Sequence, residues 1–171
     1  MNAMTNRLVK TLLVLTFGFY AGLVAYNNID DYGSNYQFVR HVLSMDTTFP
    51  GNGGLYRALR APAVHQVAYL AIIVTELAIA ATLLGAGLRM ARSARDEAGT
   101  RYLPALNLAK IGLALAFVLW FTGFVSVGGE WLLMWQSATW NGVGTSYDIV
   151  TVVLLILAYV TLADDGYGTG R

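Results

Sequence analysis

The sequence predicts an all-α integral membrane protein: a four-helix transmembrane bundle, folded as a single membrane domain over residues 1–171, with an outer cap of short interfacial helices. Three observations carry that reading. Of the 171 residues, 56% are hydrophobic and only 12% charged, too few to clothe a water-soluble surface. Four apolar stretches, at 8–26, 64–88, 106–127 and 146–163, each approach the roughly 20 residues a helix needs to cross a hydrocarbon layer about 30 Å thick. The basic residues are also shared unequally among the connections.

The first stretch is too long and too rich in Phe, Tyr and Gly for a secretory signal. No small-residue cleavage pattern follows Tyr26, where the chain reads Asn27-Asn28-Ile29-Asp30, so it is read as a retained helix. Arg7 and Lys10 precede or open that helix. Arg89, Arg92, Arg95 and Arg101 fill the link between the second and third spans, and Arg171 ends the chain. The other two connections hold only Arg40, Arg57 and Arg60, so both termini are expected on the cytoplasmic side. Asp96, Glu97, Asp164 and Asp165 lie on that side too, but acidic residues contribute little to orientation.

The outer segments, 27–63 and 128–145, are long enough to form a structured layer. Ser34 and Gln37 have capping-box spacing, with Phe38, Val42 and Met45 following at helical intervals, which predicts a short helix over 35–45. Pro50, Gly51, Gly53 and Gly54 end it. Trp131, Trp135 and Trp140, with Leu132 and Met134, read as an interfacial belt, since indole joins an apolar body to one donor that stays wet. Thr145 and Asp148 have capping-box spacing at the start of the last span, and Glu130 suits a helix N-terminus before the tryptophan segment.

Glu76 is the sharpest feature, set in Ala71-Ile72-Ile73-Val74-Thr75-Glu76-Leu77-Ala78-Ile79 at the midpoint of the second apolar stretch. A charged side chain at a helix centre costs about 2.5 to 3.5 kcal/mol on insertion scales, so this carboxyl is expected to face the bundle interior and to stay protonated. It reads either as a proton-carrying or ligand-binding group, or as interhelical glue bonded to Thr16 or Tyr20 at similar depth. Lys110 is too near the cytoplasmic end to pair with it; its stem can snorkel to the headgroups. Gly18 and Gly22, and the stripe Ala105, Ala109, Gly112 and Ala116, are close-packing signals.

Other chemistry is sparse. His41 and His65, the two histidines, both fall on the outer side, a poor fit for haem ligands facing each other inside a bundle. Asn27, Asn28, Asp30, Asp31 and Asp46 offer hard oxygens, but not at EF-hand spacing. With 11 Lys and Arg against 10 Asp and Glu, no charge surplus points to nucleic acid. The absence of cysteine excludes disulfides, thiolate metal sites, covalent haem attachment and a thiol nucleophile. No nucleophile–base pair or metal motif is present, so neither an enzyme nor a bound cofactor is expected.

Taken together, Asn27-Asn28, Asp31-Tyr32, Asn35, Phe38-Val39, His41-Val42 and Ser44-Met45-Asp46-Thr47-Thr48-Phe49 form one block. Glu130-Trp131, Met134-Trp135-Gln136-Ser137 and Trp140-Asn141-Gly142 form a second. Over essentially the whole chain the sequence resembles a family of predicted small bacterial integral membrane proteins of unknown function. The resemblance implies four helices in the inner membrane and supplies no reaction.

Both blocks fall on the expected outer face, and a surface mixing Tyr, Trp, Phe, Arg and Asn suits partner recognition. The first expectation is therefore an accessory or interaction subunit of a larger membrane complex. Its docking candidates are Tyr36, Phe38, His41, Asp46, Trp131, Trp135, Gln136, Trp140 and Asn141, and its partners are the lipid bilayer and other membrane subunits or further copies of itself. The alternative is a small proton-coupled transporter oligomerising around Glu76, by analogy with small four-helix multidrug exporters. An electron-transfer subunit holding haem or quinone is the third and weakest reading.

Overall fold

The computed structural model describes residues 2–96 and 98–162. Asn2 opens the first helix: its side chain accepts from the Thr5 N–H at 2.8 Å, satisfying one of the donors that a helix start leaves unbonded. The helices are α1 (Ala3–Asp30), α2 (Tyr32–Ser44), α3 (Pro62–Ser93), α4 (Tyr102–Trp131) and α5 (Val143–Thr161). Single 3-10 turns at Leu55–Arg57 and Met134–Gln136 lie in the two connections at one end, the capped end. Four helices, α1, α3, α4 and α5, are long and apolar enough to cross a membrane, and all four expected spans are present. Ala163, the last residue of the fourth expected span, lies outside the described residues, as do Glu97, Asp164, Asp165 and Arg171.

The spans pack in the order α1, α3, α4, α5, with α5 meeting α1 along only a short stretch. Small residues set the closest approaches. A Cβ on Gly18 would stand 2.9 Å from Leu83 Cβ and 3.1 Å from the Leu84 backbone nitrogen, and one on Gly112 would stand 2.7 Å from Leu83 Cδ2. Leu83 is thus wedged between α1 and α4, fully buried. Gly87 receives Leu15, and Gly22 faces Ala80. Ala105, Ala109 and Ala116 are buried in the same core. The small-residue stripes are packing surfaces, because without a hydrophobic driving force in lipid, helices associate through close van der Waals contact.

Halfway along, α4 changes its winding. Tyr102–Phe117 is α-helical, but Val118–Trp131 is π-wound, ending with the Leu132 N–H bonded to Val127 C=O at 2.9 Å. The wider turn moves the buried face. Trp120, Val125 and Gly129 point inward, whereas Val127 and Trp131, which an α-helical repeat would bring to the Trp120 face, are exposed.

Three expected helix starts are corrected. α2 begins at Tyr32 directly after α1, with Asp31 as a cap lacking a side-chain bond; Ser34 is already inside the helix, and Gln37 accepts from Arg40. The bend leaves no free stretch in which Ser34 could act as cap. α5 begins at Val143 with Gly142 as cap, so Thr145 and Asp148 are internal, and Asn141 Oδ1 takes the Val143 N–H at 3.1 Å instead. Glu130 stands in the last turn of α4, exposed, not at a helix N-terminus, because the π winding carries α4 to Trp131.

At the end opposite the cap, two basic residues are buried. Arg7 donates to the carbonyls of Ala94 at 3.1 Å and Asp96 at 2.7 Å, past the end of α3, and lies 4.8 Å above the Tyr102 ring. Lys10, 1% exposed, donates to Leu162 C=O just beyond α5. Both cations sit where helix carbonyls end without partners and the helix dipole is negative. In the α3–α4 link, the Asp96 carboxylate accepts from the Arg101 backbone N–H at 2.7 Å, which holds its pKa below the ordinary value, with Thr100 assisting.

If glycine contact sets the bundle, the same substitution has opposite signs at two sites. Gly18→Ala, which forces a Cβ against Leu83 and the Leu84 backbone, is expected to lower stability by about 1 to 3 kcal/mol. Gly85→Ala, where a Cβ meets nothing within 4 Å, should be neutral or gain up to about 1 kcal/mol from helix propensity. Denaturant unfolding in micelles reads both, and a gain at Gly18 would show that the close approach is not limiting.

Candidate functional site: a polar chamber at the capped end

The register of α1 on α3 relocates Glu76. With Gly18 against Leu83 and Gly22 against Ala80, the α1 residue level with Glu76 is Tyr26, close to the capped end of α1. Glu76 lies midway along α3, yet α3 runs past α1 and its first turns pack against α2 instead. The carboxyl is therefore near the capped end of the bundle rather than at its centre, a correction that the helix lengths impose.

Its partner is Asn28. The Asn28 Nδ2 donates to Glu76 Oε2 at 2.8 Å, and Glu76 is 1% exposed. The expected partners do not serve: Thr16 lies exposed nearer the termini, and Tyr20 lines the space beside Glu76 without bonding to it. Asn28 is held from a second direction, because the Tyr69 hydroxyl donates to its backbone carbonyl at 2.7 Å. Tyr69 is in turn clamped by α2, with the rings of Tyr32 and Tyr36 at 4.8 and 6.0 Å.

These groups line a cavity of about 360 Å³ reached by all five helices. Its polar wall is Glu76, Asn28, Asn35, Asn141, Thr145 and Ser146. Its aromatic wall is Phe38, Trp120 and Phe124, the latter two supplied by the π-wound half of α4. Asn35 Nδ2 donates to the carbonyls of Asn27 and Asp31, locking the α1–α2 bend above the chamber.

Over the chamber the two connections interlock. Thr47 donates to Ser137 Oγ at 2.9 Å, the Phe49 N–H and Asn52 Nδ2 donate to Gln136 Oε1, and Arg57 donates to Trp131 C=O while its guanidinium lies 4.6 Å above the Trp131 ring. His41 stacks on Trp140 at 4.8 Å and its Nδ1 meets Asp46 Oδ1 at 2.8 Å. Phe38 packs against Trp140 and Phe124. Leu132 and Met134 are buried beneath, so the tryptophan segment divides into an inward apolar pair and outward rings. Trp131 and Trp135 are 53% and 47% exposed.

The structure thus separates the candidates. Phe38 and Asn141 line the chamber, Tyr36 packs on Tyr69 and Trp140 on Phe38 behind that lining, His41 and Asp46 pair with each other, and Gln136 ties the two connections together. Trp131 and Trp135 face outward. His65 is buried, its Nε2 bonded to Leu59 C=O. Among the described residues, no group of three His, Cys, Asp or Glu is placed to hold a metal.

A family model described as a predicted small integral membrane protein, DUF2165, matches residues 6–163, from the first turn of α1 to beyond the end of α5. The chain belongs to that family. No curated protein and no solved structure matches it. Within this DUF2165 chain the sequence reading missed Asn28 as the partner of Glu76, and it missed Tyr69, Trp120 and Ser146 as chamber residues. One signal was available for Trp120, the single tryptophan inside an apolar stretch.

Gln at position 76 can still accept from Asn28, whereas Leu leaves that amide without an acceptor. Glu76→Gln is expected to unfold as the parent does, and Glu76→Leu to lose about 0.6 to 2 kcal/mol. Unfolding in micelles distinguishes them. Equal stability of all three would mean that the Asn28 bond contributes nothing.

Proposed function

We propose that the protein is a non-catalytic accessory or interaction subunit of a larger assembly in the bacterial inner membrane, with both termini cytoplasmic and the cap outside. One observation carries this reading: large apolar side chains stand outward on a cap braced by side-chain bonds between its two connections. Trp131, Trp135, Phe49 and Tyr56 are all substantially exposed, although the connections beneath them are tied by Thr47, Ser137, Gln136 and Arg57. Rigid aromatic anchors lose little conformational entropy on docking and dominate the energetics of interfaces. Arg40 and Arg60 beside them supply a polar, positively charged rim.

The alternative, proton-coupled transport by copies oligomerising around Glu76, needs that carboxyl at a face between copies. Glu76 is enclosed within one chain and bonded to its own Asn28, which favours the docking reading.

The orientation is tested by labelling, which the cysteine-free chain makes clean. Ser93 is buried at the end of α3, so Thr100, exposed in the α3–α4 link, is the better inner probe. Ser34→Cys should react with an impermeant maleimide on intact spheroplasts and Thr100→Cys only after lysis; the reverse pattern would invert the topology.

For docking, Trp135→Ala is compared with Leu12→Ala, a residue 63% exposed on the lipid-facing side of α1. Purified in mild detergent with its neighbours retained, the tryptophan variant should lose co-purifying protein several-fold while the leucine variant keeps it. Equal retention would reject the cap as an interface.

A further inference from the structure

Toward the termini from the Glu76 chamber, α1 and α5 separate and leave an apolar slot of about 590 Å³, walled by Leu13, Phe17, Val152, Leu155 and Ile156. Slot and chamber share Tyr20, Thr145 and Ile149. They therefore adjoin as an apolar shaft opening into a polar head, the shape of a site for an amphiphile entering sideways from the bilayer.

The chemistry of the head selects among amphiphiles. Its ionisable carboxyls are Glu76, deep in the chamber, and Asp148 at the slot; neither space is lined by Lys, Arg or His. A phosphate or carboxylate head would meet two carboxyl groups and no cation. An alcohol would bring no counter-charge. An ammonium brings the opposite charge that makes a buried carboxylate tolerable, along with three donors.

Acceptors for those donors are at hand. Asn28 satisfies Glu76 Oε2, and among the described residues no side chain donates to Oε1. Asn28 and Asn35 spend their amide N–H groups on Glu76 and on backbone carbonyls, which leaves their Oδ1 atoms as acceptors. Trp120, Phe124 and Phe38 add aromatic surface that favours a cation in a space partly shielded from water.

We propose that the slot and chamber bind a single-chain amphiphile with a primary ammonium head, its tail between α1 and α5 and its head between Glu76 and the Asn28 and Asn35 amides. This site is independent of the docking surface on the cap. Its ligand enters from the membrane and not from a partner protein.

The test uses the full chain in phosphatidylcholine nanodiscs, titrated calorimetrically with dodecylamine, dodecanol and dodecyl phosphate against empty nanodiscs. The amine should bind saturably, one per chain, and at least about tenfold more tightly than the other two, a threshold below the roughly thirtyfold low end for truncating one partner of a buried charge pair. Glu76→Gln should weaken the amine by about tenfold or more and leave dodecanol unchanged. Thr145→Phe, at an exposed position where slot and chamber meet, should weaken the amine without altering the unfolding temperature, and it decides the matter should Glu76→Gln fail to assemble. Equal affinity for amine and alcohol, tighter phosphate binding, uptake no greater than empty nanodiscs, or unchanged amine binding in both variants would each overturn the proposal.

Discussion

Gly18 and Gly87 let the backbones of α1 and α3 approach until Leu83 and Leu15 fill the space a side chain would take, and the arrangement of the capped end follows from that contact. The register it fixes sets Asn28 beside Glu76 and leaves the first turns of α3 beyond the end of α1. α2 folds back over that overhang, with Tyr32 and Tyr36 on Tyr69, and becomes the chamber roof. A slip of one helical turn along α1 would part Asn28 from Glu76 and strand a carboxyl among apolar side chains. In a medium without water, each polar group needs a partner inside the protein, so the polar contact makes the register unique while the glycines make it close.

The buried charges follow one rule at the two ends. Arg7 and Lys10 are close to the terminal end of α1, where they reach carbonyls past the ends of α3 and α5. These cations satisfy acceptors that the helices cannot bond themselves, and they tie α1 to the chain beyond α3 and α5. Near the other end, Glu76 meets an amide instead of a cation, so nothing within its immediate hydrogen bonding neutralises it. The Glu76 carboxyl is held by one amide and opens onto a cavity.

The π-wound half of α4 determines what the cavity is made of. Wider winding turns Trp120 and Phe124 toward the chamber and puts Gly128 and Gly129 against Met134 and Val143, where a larger residue would crowd the cap. The same winding turns Trp131 outward, where Arg57 lies across it. Chamber wall and outward anchor are thus two faces of one irregular segment, in keeping with the tendency of π segments to occur at functional sites.

The sequence alone determined the four spans, the short cap helix, the packing role of Gly18, Gly22 and Gly112, and the inward burial of Glu76. Each of these depends on local composition: apolar length, helical periodicity, small residues at four-residue spacing, and the cost of a charge in hydrocarbon. Helix starts at Ser34 and Thr145 failed because a capping box is also satisfied by residues inside a helix, and only the bend at Asp31 and the turn at Asn141 decide where the chain enters. The tertiary structure alone paired Glu76 with Asn28, buried Arg7 and Lys10, and turned Trp120 inward. Those outcomes depend on the register between helices distant in sequence and on a change of winding within one, neither of which is written in the spacing of a single segment.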